Sequence, residues 1–126
     1  MTQAEISEMY ADIKIRWRKY DIQFGQQLLN ECVNQFDRII SIMKSVSENW
    51  DFDRINIIDK TIIIIACSEL IGFPDIPVKA TINEAIELTK RYSTDKSHIF
   101  VNAVVEKIKK YLGETNLIHK SARGMR

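Results

Sequence analysis

Basic residues alternate with aromatic ones near the start of the sequence, and this pattern is the first that could support chemistry. Residues 14 to 20 contain four cations and two aromatic residues: Lys14, Arg16, Trp17, Arg18, Lys19 and Tyr20. Cations of this kind pair with phosphates and rings stack on unpaired bases, which is typical of RNA-binding surfaces. The alternative is a helix with the two rings in the core and the cations in solvent. The candidate RNA contacts in this segment are Arg16 and Lys19.

A second candidate for nucleic-acid binding is the polar turn at residues 92–97. A helix is expected to begin after this turn, and the free N–H groups at a helix N-terminus can hold a phosphate. The side chains that could contact RNA here are Lys96, Ser97, His98 and Phe100. Alternatively, Phe100 lies on the apolar face of that helix and packs in the protein core. The tail supplies a third basic group: Lys120, Arg123 and Arg126.

Patterns for catalysis or metal binding are weak. His98 and His119 stand apart, and the sequence has no HExxH pair, glycine-rich phosphate loop or nucleophile elbow. Glu84 and Glu87 could share a helix face, where such pairs are usually solvated. The acidic residues around Phe52 lack the further oxygen ligands of a calcium loop. We therefore predict a protein that is not an enzyme, with no catalytic residues, no cofactor and no metal.

Composition limits where RNA could bind and in which compartment the chain could act. The 126 residues fit one domain, and 18 basic against 17 acidic residues give a net charge of +1. Any RNA binding must therefore come from a local patch. Cys32 and Cys67 have no CxxC spacing, no secretion signal is evident, and the apolar run at 62–67 is far shorter than a bilayer span. These features predict a cytoplasmic protein that is not in a membrane.

The elements that must position these residues are helices, because prolines and glycines are few and fall between apolar stripes of helical period. We predict a first helix at about 4–19, a second one capped by Asp21 with a break near Asn34, and a connector at 47–56 that ends in a cap. The next stretch, 57–70, contains four consecutive isoleucines that favour a strand. Its length and the following Gly72 favour a central helix instead.

Two further helices are predicted after the central one. Pro77 fits the first position of one helix, and Asp95 or Ser97 could cap the last, which should stop at Gly113. Asn83 and Asn102 are expected to hydrogen-bond inside the bundle. The predicted fold is all-α, a compact bundle of five to seven helices around an apolar central helix. It comprises a domain at 1–113 and a basic flexible tail at 114–126.

The second half of the sequence contains an ordered set of residues: Ile76-Pro77 with Lys79, residues 82–88 with Lys90, Ser97, Phe100-Val101-Asn102, Val104 and Lys107. In this order and spacing, the set resembles the C-terminal half of the NusB family of bacterial transcription antitermination factors. Weaker similarity includes Asn49-Trp50, Asp59-Lys60 and Glu69-Leu70. The resemblance implies a seven-helix fold. It also implies binding of boxA RNA with a small-subunit ribosomal protein, NusE, in the RNA polymerase elongation complex during ribosomal RNA synthesis.

The resemblance also implies roles for particular residues. The turn before the last helix matches an RNA-binding region of the family, at Lys96, Ser97, His98 and Phe100. Asp59 matches an acidic position that faces the ribosomal protein, and Asp53 is a weaker candidate for the same contact.

The sequence departs from the family pattern in places. No arginine-rich first segment matches, and the chain looks like the C-terminal region of longer, Bacteroidetes-type members. Lys96 stands where an acidic residue is common, and Ala103 where glycine is usual. Two alternatives therefore stay open: an RNA-recruiting domain detached from a ribosomal RNA cytosine methyltransferase, and a protein-interaction module that has lost RNA binding. Either a monomer or a homodimer is compatible with the pattern.

Overall fold

A computed structural model describes residues 2–5, 8, 19–47 and 51–120, with the main chain alone at 19–22. All regular structure in these ranges is helical, which confirms the predicted all-α class. The elements are α1 (Lys19–Asn34), α2 (Phe36–Val46), a 3-10 helix (Phe52–Arg54), α3 (Ile57–Gly72), α4 (Val78–Tyr92) and α5 (Ser97–Glu114). The predicted helix at 4–19 lies mostly outside the described residues.

Helix α3 is the centre of the fold, as predicted. It packs against α1, α2, α4 and α5, and its buried apolar side chains are Ile62, Ile63, Ala66, Cys67 and Leu70. Burying one large aliphatic side chain stabilises a fold by about 1.5–3 kcal/mol. The helix-propensity loss of a β-branched residue is below about 1 kcal/mol. Burial therefore outweighs the strand preference of the isoleucine run.

The helix boundaries at the two ends of α1 test two predictions. The chain breaks after Asn34, where Gln35 alone separates α1 from α2, so the predicted break is confirmed. The predicted cap at Asp21 is wrong, because Asp21 lies inside α1, which already includes Lys19.

The starts of α4 and α5 differ from prediction by single positions. Pro77 is the N-cap of α4 and not its first helical residue, since its ψ of 142° is extended. Lys96 is the N-cap of α5, with no side-chain capping bond. Neither Asp95 nor Ser97 caps the helix as predicted, and the Ser97 hydroxyl instead contacts Ser93 and Thr94. Asn83 and Asn102 are exposed, so the predicted burial of these two amides is also wrong.

Helix α5 ends at Glu114, with Thr115 as its C-cap, and not at the predicted Gly113. Asn116 has a φ of 59°, in the left-handed region. Leu117 N–H donates to Leu112 O at 2.8 Å and Asn116 N–H donates to Gly113 O at 3.4 Å. These two bonds form a Schellman motif, in which the residue after the C-cap must be left-handed.

Replacing Asn116 by alanine should lower the free energy of unfolding by about 1 kcal/mol, because alanine lacks the tolerance of asparagine for this conformation. Chemical denaturation followed by circular dichroism measures the change. Asn102→Ala is the matched control, since Asn102 is exposed within α5 and alanine is the better helix former there. Equal effects of the two substitutions would contradict the prediction.

The first part of the predicted flexible tail is packed on the domain. Leu117 and Ile118 contact the core, and Lys120 Nζ donates to two carbonyls, Glu69 O at 3.2 Å and Phe73 O at 2.8 Å. Lys120 thus satisfies carbonyls at the C-terminus of α3, where a cation is also favoured by the helix dipole. The chain at 115–120 is therefore attached to the bundle, and residues 121–126 lie outside the described part.

Candidate nucleic-acid interface

A cleft of about 480 Å³ lies between the connector before α3 and the turn between α4 and α5. It is lined by Asp51, Arg54, Ile55, Asn56, Asp59, Thr94, Lys96, Ser97 and Phe100. Three of the predicted RNA contacts, Lys96, Ser97 and Phe100, therefore meet at one place. The predicted partner contact Asp59 lines the same cleft.

Asp59 is buried at the floor of this region, with 4% of its surface exposed. Its Oδ1 accepts a hydrogen bond from Ser93 Oγ at 2.7 Å, and its Oδ2 accepts one from Asn56 Nδ2 at 3.1 Å. Asn56 also caps α3, because its Oδ1 accepts from Asp59 N–H at 2.8 Å. This confirms the predicted cap at the end of the connector. The Asp59 carboxylate is therefore engaged within the protein.

Ser97 is also turned inward, with 6% of its surface exposed. Its Oγ lies 3.0 Å from Ser93 Oγ and 2.7 Å from Thr94 Oγ1. A hydroxyl carries one proton. Ser93 Oγ is placed to donate to both Asp59 Oδ1 and Ser97 Oγ, so its single proton serves one of these two acceptors at a time. The hydroxyls thus connect the turn to the first turn of α3.

The other predicted RNA contacts in this turn differ in exposure. Lys96 is exposed at the N-cap of α5. Phe100 is half-buried and packs against the core while lining the cleft. His98 is half-buried, does not line the cleft, and has a buried Nδ1 with no hydrogen-bond partner among the described residues. Lys96 is therefore the side chain of this group best placed to meet a ligand.

The cleft has equal numbers of positive and negative side chains, but one of the negative side chains is buried. Arg54 and Lys96 face Asp51 and Asp59, and Asp59 is buried. Arg54 Nε lies 3.5 Å from Asp51 Oδ2, with 88% and 57% of the two side chains exposed. Exposed ion pairs contribute about 0–1 kcal/mol, so an incoming phosphate can compete for this guanidinium. The two exposed cations are free to move toward an anion.

Two side chains in this region were not among the contacts predicted from the sequence. One is Arg54, which lines the cleft. The other is Phe52, whose ring centroid lies 4.5 Å from Lys60 Nζ and 5.3 Å from Lys44 Nζ, distances at which a cation is attracted to the ring. The sequence did contain a signal for this site, because an aromatic residue stands among charged residues at 51–54. That segment was predicted only to be a connector.

The remaining predicted contacts lie elsewhere. Arg16 is outside the described residues, and Lys19 begins α1 with only its main chain described. Asp53 is exposed on the 3-10 helix, and its N–H donates to Asp51 Oδ1 at 3.1 Å. Within the ranges that the structure describes, no three side chains of the metal-ligating types cluster, and no helix is long and apolar enough to cross a membrane.

Comparison with known proteins identifies relatives of this chain. The NusB family model matches residues 2–110. The transcription antitermination protein NusB of Chloroherpeton thalassium is 36% identical over 118 residues, covering 94% of this chain and 53% of that protein. The proteins of the same name from Salinibacter ruber and Natranaerobius thermophilus are 34% and 30% identical, and the chain covers 64% and 77% of them. The chain thus spans about half to three-quarters of their length.

The fold agrees with the sequence match. A solved NusB structure from T. maritima superposes with a TM-score of 0.70 at 29% identity, over 75% of this chain and 67% of that one. A family match over most of the sequence and a shared helical architecture lead to the same assignment, so this chain belongs to the NusB family.

Proposed function

We propose that this chain is a non-catalytic, RNA-binding transcription antitermination factor that acts in the cytoplasm. In this proposal it binds boxA-like RNA together with a ribosomal protein of the NusE type in the RNA polymerase elongation complex, during ribosomal RNA transcription. The observation that carries the proposal is the cleft at the start of α5, which brings Lys96, Arg54 and Phe100 together in a member of a family named for antitermination.

Three features of the cleft suit single-stranded RNA. The exposed cations Lys96 and Arg54 can pair with phosphates. The N-terminus of α5 opens beside them without a side-chain cap, and the positive end of its dipole favours an anion. Phe100 lines the cleft and offers a ring for base stacking. In this proposal the inward-facing Ser97 supports the turn. His98, which lies on α5 outside the cleft, is a further RNA contact.

A protein partner is proposed for the adjoining surface at the start of α3. Asp53 is exposed there, and Ile57, with 51% of its surface exposed, is an apolar side chain in the first turn of the helix. An exposed carboxylate and an exposed aliphatic residue four positions apart suit a basic protein surface, because they combine charge attraction with apolar burial. Asp59 supports this surface from behind.

The test is a titration of the full chain with boxA-like and scrambled RNA, each with and without the ribosomal protein. We expect tighter binding to the boxA-like RNA, a further gain with the ribosomal protein, and weakening as salt rises because phosphate contacts release counterions. Equal, weak binding to both RNAs that the ribosomal protein does not change would contradict the proposal. Intact protein binding without any RNA contribution would favour an interaction module instead.

A further inference from the structure

The turn that carries Lys96 depends on a residue from another helix. Ser93, at the start of the α4–α5 turn, lies 34 residues along the chain from its hydrogen-bond partner Asp59. The bond from Ser93 Oγ to Asp59 Oδ1 is 2.7 Å long, a distance typical of a strong hydrogen bond to a carboxylate. The turn is therefore attached to the N-terminus of α3 through a buried acceptor.

We propose that Asp59 is a positioning residue for the candidate RNA-binding turn. Its carboxylate orders the hydroxyls of Ser93 and Ser97, and this order fixes the N-terminus of α5 and the direction of Lys96. The expected effect on RNA binding rests on the proposed function. The expected effect on the order of the turn rests on geometry alone.

The bonding pattern explains why an acceptor is needed at this point. The hydroxyls of Ser93, Ser97 and Thr94 carry three protons and make three contacts, two among themselves and one with Asp59. Without the carboxylate at residue 59, the half-buried Ser93 hydroxyl loses its acceptor on α3, and the chain of hydroxyls loses its preferred direction. Asn56 holds the second carboxylate oxygen, so the acceptor cannot rotate away.

The same arrangement links the start of α3 to the start of α5. The peptide N–H of Asp59 is held by the Asn56 cap, and its side chain holds Ser93. A displacement of the first turn of α3, where the proposed protein partner binds, is therefore transmitted to the turn that carries Lys96. Asp59 thus links the two surfaces through hydrogen bonds within the protein.

The experiment compares Asp59→Ala, Ser93→Ala and Asp59→Asn in the full chain by amide hydrogen exchange without RNA. We expect exchange at residues 93–97 to become about ten-fold faster or more in the two alanine variants, because each removes the same link. Asp59→Asn should stay close to the original protein, because its amide retains an acceptor and the three hydroxyls can reverse to receive its N–H. Asp37→Ala, which removes an exposed carboxylate on α2, is the control and should change nothing in the turn.

A second measurement reads the consequence for RNA. Ser93→Ala should weaken binding of boxA-like RNA by about ten-fold, and Asp59→Asn should retain most of it. Combining Asp59→Ala with Ser93→Ala should weaken binding no further than Asp59→Ala alone, since both remove the bond between Ser93 and Asp59. Unchanged exchange at residues 93–97 in Ser93→Ala would overturn the inference. If the original protein binds no boxA-like RNA, the proposed function fails, while the exchange result still decides the role of Asp59.

Discussion

Replacing Glu69 by glutamine is expected to stabilise the protein at pH 8 by about 2–3 kcal/mol and to leave it nearly unchanged below pH 4.5. Glu69 is buried on α3, where burial raises the pKa of its carboxyl from 4.5 to about 7. The negative charge of Glu84 raises this pKa further, while the hydrogen bond from Thr81 and the charge of Lys120 lower it. Thr81 Oγ1 donates to Glu69 Oε1 at 3.2 Å, and glutamine keeps an acceptor for that bond.

The sign follows from proton binding in the two states. Between pH 4.5 and about 7 the unfolded chain has released the Glu69 proton and the folded chain still holds it. Stability therefore falls as the pH rises through this window, and it levels off above the folded pKa. Glutamine does not titrate, so the difference between the variant and the original protein should grow across the same window.

Urea denaturation at a series of pH values measures this difference. Glu87→Gln is the matched control, because Glu87 is exposed on the neighbouring helix α4 and its replacement should shift stability little at any pH. A difference between Glu69→Gln and the original protein that stays constant from pH 4 to pH 8 would show that the buried carboxyl titrates like an exposed one.

Replacing Lys96 by glutamate should weaken binding of boxA-like RNA by about ten- to one-hundred-fold. Lys96 is exposed at the N-cap of α5 and lines the cleft, so the change removes one phosphate contact and adds repulsion. The slope of the logarithm of affinity against the logarithm of salt concentration should fall by about one, as expected for one lost phosphate contact. Fluorescence anisotropy with labelled RNA at several salt concentrations measures both quantities.

Lys110→Glu is the control for this experiment. Lys110 is exposed toward the C-terminal half of the same helix and does not line the cleft, so its reversal changes net charge equally. Equal losses in the two variants would mean that only overall charge matters, and would remove the cleft from the proposed interface.

The sequence was sufficient for the helices because their signals are local. The helical period of α4 and α5 and the uninterrupted apolar length of α3 do not depend on distant residues. The cap residues were harder to predict because several candidates stand side by side. The hydroxyl of Ser97 can cap a helix or hydrogen-bond to Ser93. The outcome depends on tertiary packing, because Asp59 on α3 binds Ser93.

The candidate site was only partly visible in the sequence for the same reason. Lys96 and Phe100 could be chosen because a basic and an aromatic residue flank a predicted helix start. Arg54 joins them across more than 40 positions of sequence, through packing of the connector against the α4–α5 turn. The burial of Asp59 and Ser97 depends on the same tertiary contact.

The length of α3 sets a distance between two basic parts of the molecule. The cleft lies at the N-terminus of α3, whereas Lys120 is bound at Glu69 and Phe73, near its C-terminus. At 1.5 Å per residue, the 16 residues of this helix measure about 24 Å. Lys120 therefore lies near the end of the central helix that is opposite the cleft. An RNA that contacts both the cleft and that end must be long enough to follow the whole length of the central helix.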